Sequence, residues 1–168
     1  MRTERQRRAV AYHEAGHAVM RLHLGRRLVR VTIKPKGDSL GHMLQPKTKI
    51  DIQWFGEDWR TRRWAETEIM VSMAGPEAEK RLTGRRNNAG AVSDGENVAN
   101  VAMKAEGDGE LATAFIRWLE LKVAACLASP AVWVQVEAVA AALLERETLS
   151  GEEVRSTACR AFKERTRR

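Results

Sequence analysis

The chain has 168 residues, of which 43% are hydrophobic and 30% are charged, a balance that excludes a disordered protein and predicts one globular domain. Its formal net charge of +7 comes without a recognisable nucleic-acid-binding motif, so we do not expect a nucleic-acid partner. No secretory signal is visible, and the most apolar stretch is interrupted at Pro130, so we expect a soluble, cytoplasmic protein with no membrane span.

Hydrophobic periodicity predicts a first helix over residues 3–24, followed by two short strands over 28–35 and 40–45 that could form a hairpin. A second helix is expected over residues 58–82, and Gly75-Pro76 predicts a kink or a break within it. Further helices are predicted over 93–106, over 111–127, from just after Pro130 to Glu147, and from Ser150 onwards.

Two of these helices begin with a capping-box pattern, in which Ser93 and Ser150 each precede a glutamate by three residues. The pattern as a whole predicts a mainly α fold with one small β-sheet (α+β). We interpret residues 1–168 as a single domain with an N-terminal part over about 1–106 and a helical C-terminal part over about 107–168.

The segment from His13 to His17 reads HEAGH, which is the H-E-x-x-H pattern of zinc peptidases. The two histidines lie one helical turn apart on the same face, so both can bind one tetrahedral Zn²⁺. Glu14 is rotated by about 100° from them and can reach a water on the metal without being a ligand. Gly16 costs about 1 kcal/mol against alanine in a helix, which predicts that another backbone passes close by, such as a strand that holds substrate.

A catalytic zinc site needs a third protein ligand and an open position for water. The candidates in the chain are His23, His42, Asp94 and several glutamates. His23 falls on the opposite side of the helix from His17. Asp94 lies in the first turn of a predicted helix, where an aspartate is also common as a simple partner of the helix dipole. The residues alone therefore leave the third ligand open.

Five blocks follow one another along the chain: HEAGHAVM, VTIKPKGDSLGHMLQ, MAGPEAEKRLTG, AGAVSDGENVANVA and LLERETLSGEEV. Together, and in this order, they resemble the peptidase domain of the FtsH family, which are membrane-anchored, ATP-dependent zinc proteases. The resemblance extends from about Ala9 to Val154 and implies a mostly helical zinc metallopeptidase domain.

The resemblance also assigns roles to individual residues. It implies that His13, His17 and Asp94 are the zinc ligands and that Glu14 is the catalytic general base. It places a glutamate of the family on Glu79, which we interpret as a structural residue or as the outer hydrogen-bonding partner that a metal-bound histidine commonly needs.

The stretch Leu40, Gly41 and His42 resembles the family's edge strand beside the active site, which implies that an extended substrate pairs with it by strand addition. His42 could also donate a hydrogen bond to the negative charge that develops during the reaction, or be a strand residue with no catalytic part. One departure from the family is Pro76, which replaces an arginine.

The chain contains no G-x-x-x-x-G-K-[ST] phosphate loop, so we expect the peptidase domain to stand without an ATPase module. The expected function is that of an ATP-independent zinc metalloendopeptidase that acts on peptides or unfolded protein. A separate ATPase or a homo-oligomer would be its partner. Two alternatives remain: a non-proteolytic binding or assembly module with the same fold, and a regulatory protease that acts on one specific intracellular protein.

Overall fold

A computed structural model describes residues 3–35, 41–44, 59–85, 87, 92–107 and 109–167. Helices dominate this part of the chain and one small sheet accompanies them, which confirms the predicted mainly α fold. The elements in chain order are α1 (Glu4–His23), β1 (Arg30–Thr32), β2 (His42–Leu44), α2 (Trp59–Thr83), α3 (Val92–Glu106), α4 (Glu110–Ala128), α5 (Pro130–Arg146), β3 (Thr148–Ser150) and α6 (Gly151–Thr166).

Helix α1 is the central element of the core. Thr3 caps it, because the Thr3 hydroxyl accepts a hydrogen bond from the backbone N–H of Gln6 and the Gln6 side chain bonds back to the Thr3 backbone. Every residue from 11 to 21 is buried, including the polar ones. The helix packs against α2 and α5, so its polar side chains must find partners inside the protein.

The helix α2 runs without a break from Trp59 to Thr83, although Pro76 lies in its interior. Of the two alternatives predicted at Gly75-Pro76, a kink or a break, the break is therefore wrong. A proline in this position removes one backbone hydrogen bond, that of the Ser72 carbonyl, and costs about 3 kcal/mol. Tertiary packing on α1, α3 and α4 holds the helix together in spite of this cost.

The sheet has the order β2-β1-β3, and both pairs are antiparallel. Val31 in β1 pairs with Met43 in β2, as expected for the predicted hairpin, and with Leu149 in β3 on the other side. The sequence analysis missed β3. Val31 and Leu149 are fully buried, so the sheet is anchored to the core while β2 forms one edge of it.

The two predicted capping boxes have different outcomes. Ser150 caps α6, because its hydroxyl accepts from the Glu153 backbone N–H and the Glu153 carboxylate accepts from the Ser150 N–H. Helix α3, by contrast, already begins at Val92. Ser93 therefore lies inside the helix and not at its cap.

Among the described helices, none is by itself long and apolar enough to cross a membrane. Helices α4 and α5 pass that test together, on length and composition alone, as a pair bent by 79°.

Helices α1 and α2 approach closely at Gly16. A Cβ placed on it would lie 2.5 Å from the Ala74 carbonyl oxygen and 2.7 Å from the Ala78 Cβ. The neighbouring backbone that the sequence predicted is present, but it belongs to a helix and not to a substrate-holding strand. The glycine is kept because the two helix backbones meet there.

We expect Gly16→Ala to lower the free energy of unfolding by about 1–3 kcal/mol, because the added methyl group overlaps a backbone that cannot move away easily. Gly95→Ala is the matched control. Nothing lies within 4 Å of a Cβ placed on Gly95 in α3, so this change should be neutral or stabilise by up to about 1 kcal/mol. Urea denaturation of the zinc-free proteins measures both values. A Gly16→Ala protein as stable as the Gly95→Ala protein would contradict the packing argument.

Candidate metal centre

Three of the predicted ligands meet at the junction of α1 and α3. The Nε2 atom of His13 lies 3.0 Å from Asp94 Oδ2, and the Nε2 atom of His17 lies 3.4 Å from the same oxygen. One potential ligand atom of each residue lies within 4.8 Å of the others. The other two histidine candidates are placed elsewhere: His23 is exposed at the end of α1, and His42 lies in β2.

The opposite nitrogen of each ring is bound by α2. His13 Nδ1 lies 3.1 Å from Glu79 Oε2, and His17 Nδ1 lies 2.7 Å from the Val71 carbonyl oxygen. A carbonyl oxygen only accepts, so His17 Nδ1 donates to it, and Nε2 is the ring nitrogen that faces Asp94. Helix α2 therefore aims both Nε2 atoms at the place where Asp94 lies.

Glu79 is held in turn by a second residue. The Asn87 side-chain N–H₂ donates to Glu79 Oε1 at 3.0 Å, while Oε2 faces His13. The hydrogen bond with His13 lowers the pKa of Glu79 below its usual value, although burial opposes this. Glu79 thus stands as a charged carboxylate behind the imidazole, which is the outer-partner position that the resemblance implied.

The electrostatics of the centre are those of a cation held between carboxylates. Burial opposes a charge on His13, but its bonds to Asp94 and Glu79 outweigh burial and raise the pKa of His13 to about 9. Burial likewise raises the pKa of Asp94, yet the bonds from His13 and His17 prevail and hold that pKa well below its usual range. A positive charge at this point is therefore stabilised, whether a proton or a metal ion supplies it.

Glu14 lies beside this centre, on the same helix as the two histidines. The residue is 5% exposed, and burial raises the pKa of Glu14 against the opposing influence of His17 and His13. Gly41, just before β2, lies close to this carboxylate, because a Cβ placed on Gly41 would lie 2.7 Å from Glu14 Oε1. A side chain at position 41 would displace the Glu14 carboxylate, so the edge strand begins directly over the predicted base.

The structure describes two of the three residues predicted for substrate binding. Leu40 lies outside the described residues. Gly41 contacts Glu14, as above. The Nδ1 atom of His42 is buried and has no hydrogen-bond partner among the described residues.

Two further contributors to the centre were missed by the sequence analysis. The Val71 carbonyl is a backbone atom, so no side-chain pattern could reveal it. Gly75 was interpreted only as a helix breaker, but a Cβ placed on it would overlap the His17 ring and lie 2.8 Å from its Cδ2 atom. The lack of a side chain at Gly75 makes the room in which the imidazole lies.

The donor set fits a catalytic zinc ion. Two imidazole nitrogens and one carboxylate oxygen are typical zinc ligands, and three protein ligands leave a fourth position for water. Ligands at about 2.0–2.1 Å from a tetrahedral ion lie about 3.3 Å from one another. The separations of 3.0 Å and 3.4 Å between Asp94 and the two histidines are close to that value, and all three donor atoms lie within 4.8 Å of one another.

Comparison with known proteins places the chain in a family. The model of peptidase family M41 matches residues 1–105. The chain belongs to peptidase family M41. This M41 chain is 36% identical over 169 residues to the ATP-dependent zinc metalloprotease FtsH 1 of Symbiobacterium thermophilum, a match that covers 86% of the chain and 27% of the relative.

Two other relatives match a shorter part of the M41 chain. Identity is 37% over 103 residues with the ATP-dependent zinc metalloprotease FtsH of Rickettsia felis, covering 60% of the chain and 15% of the relative. The chain is also 33% identical over 105 residues to the mitochondrial inner membrane i-AAA protease supercomplex subunit YME1 of Saccharomyces cerevisiae. This match covers 60% of the chain and 13% of the relative. The chain thus spans between 13% and 27% of the length of these relatives. These findings confirm the resemblance to the FtsH peptidase domain and place the chain in a family of zinc metallopeptidases.

We expect the zinc-free protein to lose stability as the pH rises from about 6.5 to about 9. The pKa of His13 is raised from its usual 6.5 to about 9 in the folded chain, so the folded state binds this proton more tightly than the unfolded state does. The protonated His13 therefore adds on the order of 1–3 kcal/mol to the free energy of unfolding. This stabilisation is complete below about pH 6.5 and is lost above about pH 9. Urea denaturation of chelator-treated protein across this range measures it.

The matched control is His13→Asn, which cannot take up the proton. The difference in free energy of unfolding between the two proteins should shrink as the pH rises from about 6.5 to about 9. A difference that grows over the same range would contradict the assignment of the charge to His13.

Proposed function

We propose that this M41 chain hydrolyses peptide bonds with a zinc ion held by His13, His17 and Asp94 and with Glu14 as general base. The observation that carries the proposal is the convergence of both Nε2 atoms on one Asp94 oxygen while both Nδ1 atoms are bound by α2. A buried cluster with its donor atoms aimed at one point has the arrangement that a metal ion requires. A binding or assembly module would have no use for the adjacent buried carboxylate of Glu14.

Zinc in this place would supply Lewis acidity, which lowers the pKa of water and polarises a carbonyl group. The protein residues do the rest. The Glu14 carboxylate accepts a proton from the attacking water and passes it to the leaving nitrogen of the cleaved bond. Burial raises the pKa of Glu14, which brings the base closer to the pH at which it must both take and return that proton.

The proposed substrate is an extended peptide or an unfolded protein segment. Strand β2 forms one edge of the described sheet, and a peptide can add to such an edge through backbone hydrogen bonds. Gly41 brings the start of this strand against Glu14, so a peptide along the edge would pass the base. We propose Leu40, Gly41 and His42 as the residues that contact it.

We further propose that cleavage itself needs no ATP, because the residues assigned to it all lie on α1, α3 and the segment at β2. The relatives are named ATP-dependent, which fits a role for nucleotide in delivering folded substrates. A separate ATPase or further copies of this chain would then supply unfolded segments to the site. The cytoplasmic location stays a prediction.

We expect Glu14→Gln to bind zinc as tightly as the native protein while peptide cleavage falls by about 10²–10⁴-fold, because the amide keeps the shape of the side chain but cannot accept the proton. Elemental analysis gives the zinc content, and a quenched fluorescent peptide library gives the rate. Asp94→Ala is the comparison variant, which should lose zinc as well as activity.

Full activity in the Glu14→Gln protein would remove this residue from the mechanism. Native protein that carries zinc but cleaves no member of the library would reject the peptidase proposal and favour a binding or assembly module.

A further inference from the structure

Helix α4 carries a second apolar row besides the one that packs into the core. The buried residues of α4 lie along one face of the helix: Ala112, Phe115, Leu119, Val123 and Leu127. The second row, which we call the α4 stripe, is exposed at every position and consists of Leu111, Ala114, Trp118, Leu121, Ala125 and Ala128. At 100° per residue the centres of the two rows are about 150° apart. The stripe therefore faces away from the core.

The spacing of the α4 stripe is that of a seam between paired helices. Its members are alternately three and four residues apart, which is the a/d pattern of a coiled coil. The row extends for about 25 Å along the helix. Its three large side chains, Leu111, Trp118 and Leu121, are 68%, 44% and 54% exposed. An apolar row of this kind on a surface marks a place where another molecule binds.

The order of large and small side chains along the stripe is complementary to the same order in reverse. When a second copy of α4 lies antiparallel to the first, Trp118 of each copy meets Leu121 of the other. Leu111 then meets Ala128, and two alanines meet between these pairs. A parallel pair would instead set Trp118 against Trp118 and alanine against alanine, which leaves gaps beside the tryptophans. The side-chain sizes thus favour an antiparallel second copy.

The two cations beside the stripe favour the same orientation. Arg117 lies along one side of it, and Lys122 lies along the other with its Nζ 4.2 Å from the centre of the Trp118 ring. A parallel pair would bring Arg117 of each copy against Lys122 of the other, because these are facing positions in a parallel coiled coil. An antiparallel pair sets Arg117 beside Ala124 of the second copy. It sets Lys122 beside Phe115, so like charges are kept apart.

We propose that two copies of this chain associate by antiparallel packing of their α4 stripes about a two-fold axis. Each stripe covers the other, so the contact is closed and gives a dimer. Packing on α2 and α3 already holds α4 in its helical form, so association needs no folding step. The seam of one helix is smaller than the standard interface of about 800 Å² per partner, and we expect a dissociation constant on the order of 10 μM. The inference does not depend on the proposed peptidase function.

The test is sedimentation equilibrium of the full chain at concentrations from about 1 to about 200 μM. Native protein should pass from monomer to dimer across this range. Ala114→Glu should weaken dimerisation at least about tenfold, because the carboxylate would enter the apolar seam without a partner. Ala141→Glu is the matched control, since Ala141 is an exposed alanine of α5, and it should dimerise as the native protein does.

Mixtures of variants test the orientation of the pair. Ala125→Lys alone should also weaken dimerisation at least about tenfold. Mixed in equal amounts, the Ala114→Glu and Ala125→Lys proteins should dimerise at least about tenfold more tightly than either alone, because the antiparallel pair sets the carboxylate against the ammonium group. A mixture of Ala114→Glu and Ala114→Lys proteins should show no such gain, because these charges meet only in a parallel pair.

Each outcome has a definite meaning. Native protein that stays monomeric at about 200 μM, or a dimer that Ala114→Glu leaves unchanged, would overturn the proposal. A gain with Ala114→Lys instead of Ala125→Lys would overturn the antiparallel arrangement, and assemblies larger than a dimer would contradict a closed contact. Circular dichroism and urea denaturation of each variant distinguish a lost dimer from a lost fold. Zinc content and peptide cleavage, measured on the same samples, report on the peptidase proposal separately.

Discussion

The close packing of α1 on α2 is the constraint on which the rest of the structure depends. Two glycines make it possible: Gly16 admits the α2 backbone at Ala74, and Gly75 admits the ring of His17. At this separation the Val71 carbonyl reaches His17 Nδ1 at 2.7 Å. A longer distance between the helices would leave buried ring nitrogens without partners, which costs about 1–3 kcal/mol for each group. The fold and the orientation of the site are thus set by the same contact.

The third helix completes the centre through two contacts of different kinds. Asn97 donates to the Ser72 hydroxyl at 2.8 Å, which ties α3 to α2 one turn beyond Asp94. Asp94 itself then meets the two imidazoles, and Glu79 lies behind His13. Two carboxylates around buried imidazoles hold one positive charge, and this explains why a centre that accepts a proton in the absence of metal is also suited to a divalent cation.

The sequence predicted the local features of this arrangement and missed the distant ones. His13, Glu14 and His17 lie within one turn and a half of a single helix, so their spacing alone indicated a shared face. Glu79 and Asp94 are 66 and 81 positions from His13. The residues alone gave Asp94 as one of several candidate ligands, and only the resemblance to a family selected it and pointed to Glu79. The third strand has three residues, too few for a periodic pattern. The unbroken course of α2 through its proline reflects packing, which no local propensity contains.

The most direct test of the central claim is X-ray absorption spectroscopy of the zinc-loaded protein at neutral pH. The account predicts two imidazole nitrogens and low-atomic-number oxygen donors at about 2.0–2.1 Å, and the loss of an oxygen contribution in an Asp94→Ala protein that is loaded at high zinc concentration. A spectrum with sulfur at about 2.3 Å, or one without imidazole scattering, would contradict it.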